Sequence, residues 1–330
     1  MSNKLVDKES KNIDNIPDEL YHEVAKMDVG LSNTNIFKIS KTGQNVYICP
    51  VGNKTFTITA EEELLAFDLR VYSHLLSLAN DPEKIEIIEE RFDKIKAKMN
   101  KNKKNNDKDN SKVHEQEKKK MELTGTGFSI KKPELLAING ITKYEFLTYM
   151  NLDPSGENYN KVIKSLNKLY NTKIEVTEVN EDFKCNYKMH LLSWCELEYI
   201  KTGKKILFIT LDPFTSKIFL GESNFIAYNI KEQKQLHKDA SIILHNFLSV
   251  RINQGKSAIF TMDNLIESAW KWDKDSNIPE VRNGRKRIIL RALKEINELD
   301  DWKIEVLDKR KEHFRIQHYK RKEKLQAIEI

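Results

Sequence analysis

The chain has 330 residues, 39% of them hydrophobic, and a formal net charge of +6 from 56 basic and 50 acidic side chains. That length allows two or three domains with ordinary cores, and the mild positive charge favours a polyanionic partner. The three cysteines, Cys49, Cys185 and Cys195, have no paired spacing, and no run approaches the roughly 18 apolar residues of a membrane span, so the expectations are no disulfide framework, no zinc, no membrane and a cytoplasmic home.

Residues 1–30 are polar and charged and read as a flexible N-terminal arm, with room for a short helix around Asp18 to Met27. Residues 46–50 and 54–59 look like strands. Thr59 then caps a long helix that begins Ala60-Glu-Glu-Glu. Leu65, Leu69, Tyr72, Leu76 and Ala79 recur along it at steps of 4, 3, 4 and 3, an inward stripe. Its leading acids suit the positive end of the helix dipole. A highly charged helix continues over 81–99. It leads into a Lys/Asn-rich insert at about 98–122, with nine Lys against four acids between Lys98 and Lys120. Residues 100–112 hold no apolar side chain, so the insert reads as a mobile, solvated loop.

Phe128-Ser-Ile reads as a short strand, 143–150 as a helix and Asn151 to Glu157 as a turn cluster. Asn158 to Tyr170 is a second helix, with Val162, Leu166 and Leu169 inward and Lys161, Lys164 and Lys168 outward. Strand-like runs at 173–177 and 188–192 flank an acidic tip, Asn180-Glu-Asp. Lys205 to Leu211 is a buried strand. Asp212 or Thr215 starts a helical turn, and Leu236 to Ile252 is a long helix with Ala240, Ile243, Leu244, Phe247 and Leu248 inward. Gly255-Lys-Ser257 lacks the glycine five positions earlier that a phosphate loop needs, so Gly255 reads as a helix C-terminal cap.

Phe260 to Trp270 is a short helix capped by Thr261 or Asp263, Asp273 to Pro279 is a break, and Pro279 opens the next helix. At 100° per residue, Ile289, Ala292, Leu293, Ile296 and Leu299 fall on one side. Asn283, Arg287, Arg291 and Lys294 fall on the other, with Lys286 on the flank and Arg285 close by, and no acid lies between 281 and 294. Arg and Asn are the side chains that pair with guanine and adenine edges in the major groove. Trp302 to Leu307 and His313 to His318 alternate as strands, and Lys309, Arg310 and Lys311 between them form a basic tip suited to phosphates.

Helix, break, basic helix and hairpin make a winged helix-turn-helix, and residues 143–192 show the same order earlier in the chain. The expected fold class is therefore α+β, with tandem winged-helix domains at 31–210 and 211–318 and a basic C-terminal tail at 319–330. The second module would read bases, while Lys161, Lys164 and Lys168 position the first on phosphates. None of the eight histidines pairs across one apolar residue as a rolling-circle endonuclease requires, and no catalytic triad stands out, so the expectations are no enzyme, no cofactor and no metal.

The chain also resembles the IncQ-type plasmid replication initiators, the RepC family, from about residue 31 to 318. The likeness lies in Glu61-Glu-Glu-Leu-Leu, Ile163-Lys-Ser-Leu-Asn-Lys-Leu-Tyr with Lys173-Ile-Glu-Val, and Leu207-Phe-Ile-Thr-Leu-Asp-Pro. It continues through Ala240-Ser-Ile-Ile-Leu-His-Asn-Phe-Leu, Ala258-Ile-Phe-Thr-Met-Asp-Asn-Leu, Arg285-Lys-Arg and Arg291-Ala-Leu-Lys-Glu-Ile, with Leu299 before Trp302. The resemblance implies two winged-helix domains on consecutive turns of tandem DNA repeats, iterons, at an origin. It also implies opening of nearby AT-rich DNA and recruitment of a replicative helicase. Self-association is left open. The competing readings are a winged-helix transcriptional regulator on an operator and a nuclease or primase.

Overall fold

The structure, a computed structural model, describes residues 24–28, 32, 36–39, 46–51, 53–81, 84–87, 135–179, 184–200, 202–220, 225–270, 278–308 and 312–319. Residues 1–23, the 98–122 insert, Phe128-Ser-Ile, the tip at Asn180 and the last eleven residues lie outside them.

The first described strand, β1 (Val24–Asp28), pairs antiparallel with β12 (Phe225–Asn229). The end of the expected arm is thus a strand and not a helix, because Ala25 and Met27 alternate into the core beside solvent-touched Val24 and Lys26. A short strand β2 (Phe37–Lys38) runs parallel to β5 (Leu64–Leu65). The hairpin β3 (Val46–Val51) and β4 (Lys54–Thr59) joins β8 (Lys173–Val179) and β9 (Lys184–His190) in the order β3-β4-β8-β9.

Helix α1 spans Ala66–Leu78. It starts six residues later than its acid-rich sequence suggests, because Leu64 and Leu65 are drawn into pairing with β2. The Asp68 carboxylate then accepts the Leu65 N–H at 2.8 Å and supplies the negative group at the helix start. Leu69, Val71, Tyr72, Leu75 and Leu76 are all buried, so α1 is covered on nearly every side.

The charged segment after α1 is likewise not all helix. Ile85–Ile87 form β6, paired with β7 (Leu136–Thr142), which continues through β11 (Lys204–Leu211) to β10 (Leu192–Tyr199). Gly140 sits in β7 at φ +41°, near the register shift against β11 at Leu207/Ile209, and a Cβ there would stand 3.2 Å from Ile206.

Two helices follow β7: α2 (Lys143–Tyr149) and α3 (Gly156–Asn171). The Thr142–Glu145 capping box starts α2, and the Ser155 hydroxyl accepts from Asn158 N–H at the start of α3. Asp212 caps α4 (Pro213–Phe219) and Asn229 caps α5 (Ile230–Gln235). The helix expected from Leu236 starts three residues later. Leu236 takes an extended backbone and buries its side chain, and α6 runs only over Asp239–Arg251. Gly255 is not a helix cap. It adopts φ +78° four residues past the end of α6, and its N–H donates to the His318 carbonyl.

The C-terminal part is β13 (Lys256–Thr261), α7 (Met262–Trp270), α8 (Pro279–Asn297), β14 (Trp302–Asp308) and β15 (His313–His318). Its sheet has the order β13-β15-β14. Helix α6 packs on both α1 and α8, and one hydrophobic core runs through Leu69, Leu75, Ile243, Leu244 and Leu293. The order helix, helix, hairpin recurs as α2-α3-β8-β9 and α7-α8-β14-β15.

Candidate nucleic-acid interface

Pro279 starts α8, where its missing N–H and fixed φ suit the first turn. Ile289, Ala292, Leu293 and Ile296 are buried against α6 and α7, and Leu299 follows just past the helix end. The opposite face carries Asn283, Arg287, Arg291 and Lys294, all exposed. The inward stripe and the polar face therefore fall where the helical period puts them.

A second basic row, beside the first and offset by one position, is spent on contacts within the protein. The Arg282 guanidinium donates from Nε and Nη2 to one Asp263 oxygen at 3.1 and 2.9 Å, and reaches Glu312 at 3.2 Å. Lys286 donates to the other Glu312 oxygen. Glu312 sits at φ +55° in the β14–β15 turn, and its carbonyl accepts the Met262 N–H at 3.1 Å. One residue thus ties the hairpin to the starts of α7 and α8. The Lys286 bond, followed by Arg282, holds its carboxyl below the usual carboxylate range. Arg285 lies over the Trp270 ring, 5.5 Å from its centroid. Arg291 borders a cavity of about 260 Å³ that it shares with Ile39, Lys238, Asp239, Ala240 and Ile288. Lys309, Arg310 and Lys311 lie outside the described residues.

Helix α3 distributes its lysines differently. Lys161 is exposed but pairs with Glu157 at 2.7 Å, one turn back. Lys164 is exposed. Lys168 turns inward: its ammonium is 3.2 Å from Asp68 on α1 and 3.4 Å from the Glu63 carbonyl, and its side chain is only 10% exposed. The three lysines are not brought together as one outward row. The spacing that placed Lys168 outside also places it over the start of α1, where an unaccompanied Asp68 would be costly to bury.

A buried polar network braces the C-terminal part from behind. Glu232 on α5 accepts from Trp302 Nε1 at 3.0 Å and meets His245 Nε2 at 2.7 Å, and Trp302 stacks on His318 at 4.2 Å. Burial pushes the Glu232 carboxyl up, but His245, Trp302 and His318 together hold the group low, while burial lowers His318. Sequence reasoning missed this network and the Asp263–Arg282–Glu312 clamp. The signal for the clamp was the i,i+4 pair Arg282/Lys286, offset by one position from Asn283/Arg287. Among the described residues, no group of three or more His, Cys, Asp or Glu side chains could hold a metal ion, and no helix is long and apolar enough to cross a membrane.

The fold is similar to crystal structures of domains 2 and 3 of RctB. One has a TM-score of 0.49 at 9% identity, covering 90% of this chain and 99% of that one. A selenomethionine form has a TM-score of 0.44 at 10% identity, covering 88% and 96%. No curated protein matches the chain. The sequence pattern of the family described as Replication protein C (RepC) matches residues 140–320, more than half of the chain and the whole run from α2 to β15. The chain belongs to the Replication protein C (RepC) family.

Proposed function

We propose that this protein is a plasmid or mobile-element replication initiator of the IncQ type that binds double-stranded DNA. In this reading α7-α8-β14-β15 is a winged helix-turn-helix whose α8 lies in the major groove, and α2-α3-β8-β9 is a second one on the same duplex. Two unequal heads on one chain suit tandem direct repeats, because the chain carries both halves of a two-site reader. The protein would open a nearby AT-rich tract and recruit a helicase. It would itself cut and synthesise nothing.

The observation that carries this reading is the division of labour on α8. Arg282 and Lys286 are neutralised by Asp263 and Glu312, which fixes the helix and hairpin to each other. Asn283, Arg287, Arg291 and Lys294 are left exposed, and beyond Glu280 in the first turn no acid interrupts the run up to Lys294. A merely solvated helix face gains nothing from such sorting, whereas a groove reader needs a rigid mount under a cationic edge.

Footprinting on the DNA that flanks the gene tests it. Protection of tandem direct repeats, weakening steeply with salt, is the expected result. Protection of one palindrome would favour an operator-binding regulator, and no protection would sink both. Incubating labelled DNA with the pure protein, magnesium and nucleotides should give neither cleavage nor primer synthesis.

A further inference from the structure

The β10–β11 hairpin is longer than the sheet that holds it. Strand β7 ends at Thr142, opposite Ile206. The β10–β11 ladder continues for two more rungs, Glu198 with Lys205 and Tyr199 with Lys204. Those rungs and the turn beyond them form a two-stranded finger past the end of β7. The finger is well made. Thr202 and Gly203 N–H both donate to the Tyr199 carbonyl, at 3.0 and 2.8 Å, and Gly203 takes the left-handed φ of +64° that closes such a turn.

Its tip is apolar. Ile200 is 96% exposed, and Tyr199 and Leu197 continue an exposed edge along one face. On the other face Glu196 bonds Lys143 at the start of α2 (2.6 Å) and the Tyr159 hydroxyl in the first turn of α3 (2.8 Å), while Lys143 lies over the Tyr159 ring. Lys205 covers Glu196 and Glu198 at 3.4 and 3.2 Å. The acids of the finger are thus neutralised within the protein, Lys204 is exposed at its end, and its base is bolted to the beginning of α3.

We infer that this finger is a DNA wedge, which inserts Ile200 into the minor groove beside the site occupied by α3. The inference rests on the reading of the protein as a duplex-binding initiator. A protein-binding hot spot would want a wider apolar patch with a polar rim, and only three side chains are available here. Isolated apolar side chains on β-ribbons and loops are the groups that enter minor grooves and part base steps. Size decides the consequence. Paired strands stand about 4.8 Å apart before side chains are added, and an undistorted minor groove is about 6 Å wide. The tip can enter only by widening the groove and unstacking a step, an act of local opening that is cheapest in flexible, AT-rich sequence.

The test uses the full chain on the duplex fragment protected in the footprint, with permanganate reactivity of thymines and end-to-end energy transfer as readouts of unstacking and bending. Ile200→Ala should keep its thermal stability, because so exposed a side chain packs against nothing. Its thymine reactivity and bend should fall to those of protein-free DNA, while Ile200→Met restores both. Loss of the footprint itself by a stably folded Ile200→Ala would also place the finger on DNA. A wild-type footprint without reactive thymines, or reactivity and bend unchanged in Ile200→Ala, overturns the wedge alone and leaves the finger to a protein partner. Absence of a wild-type footprint overturns the parent reading and the wedge with it.

Discussion

Helices α3 and α8 occupy the same place in two copies of one local order, yet they use their cations in opposite ways. On α8 the clamped residues, Arg282 and Lys286, lie beside the exposed row and leave it whole. On α3 the row itself is consumed: Lys161 bonds Glu157, and Lys168 is drawn down onto Asp68. The sheets diverge as well. Strand β13, which precedes the second helix pair, joins its own hairpin through β15. Strand β7, which precedes the first, instead pairs with β11 and β6, and β4 joins the β8–β9 hairpin on its opposite side, along β8. The C-terminal copy closes its own sheet. The N-terminal copy is woven into the sheets around α1, and its helix contributes to stability as much as to any surface.

The contrast is broken most severely at Lys168. Asp68 is almost fully buried, and removing its cationic partner leaves a carboxylate in a site it cannot share with water. Lys168→Met, which keeps the length of the stem, should cost about 3 kcal/mol or more in unfolding free energy. Urea denaturation measures that loss. DNA affinity of the folded variant should change little, and a variant as stable as wild type but weaker on DNA would return Lys168 to the outward row.

Arg287 and Arg291 are the opposite case. Each is exposed and packs no core, so Arg287→Ala and Arg291→Ala should leave the melting temperature alone. Each should weaken binding to the cognate repeat by about 1–3 kcal/mol, the scale of one base contact. Equal affinity for the cognate repeat in both variants would remove α8 from the groove.

Much of this contrast was legible in residue order, and the part that was not has a physical reason. The helical period located the buried stripe and the exposed face of α8, because both depend only on local geometry. It misplaced Lys168, because the residue that claims it is Asp68, 100 positions away. The starts of α1 and β6 were misread for a similar reason. Leu64, Leu65 and Ile85 answer to strand partners at Phe37, Lys38 and Ile138, which no local pattern announces. Glu312 follows the basic tip directly in sequence, and only the fold sets it against Arg282 and Lys286.

That same residue offers a milder perturbation. Glu312→Gln keeps the shape of the turn but frees Lys286, while Arg282 keeps Asp263, so stability should fall by about 1 kcal/mol or less, as for a partly solvated ion pair. Salt dependence of DNA binding should steepen slightly, since Lys286 becomes available to phosphates. The pH dependence has a definite sign. The carboxyl is held low in the folded chain, so its contribution is present in full above the ordinary carboxylate pKa of about 4.3 and is lost as pH falls through the depressed folded value. Acid titration of wild type and Glu312→Gln by circular dichroism should show the difference between their stabilities closing below that range.

The smallest expected effect falls on Lys164, and it is the sharpest question about the first head. Lys164 is the one member of the α3 row that is exposed and for which no ion pair or hydrogen bond is seen among the described contacts. If α3 meets phosphates, Lys164→Ala should lower the slope of log affinity against log salt by about one, and weaken cognate and unrelated DNA alike. Specificity should not move, because a phosphate contact carries no sequence information. An unchanged slope would mean that α3 does not reach the backbone, and that the N-terminal copy serves as the mount for α8 and not as a second reader.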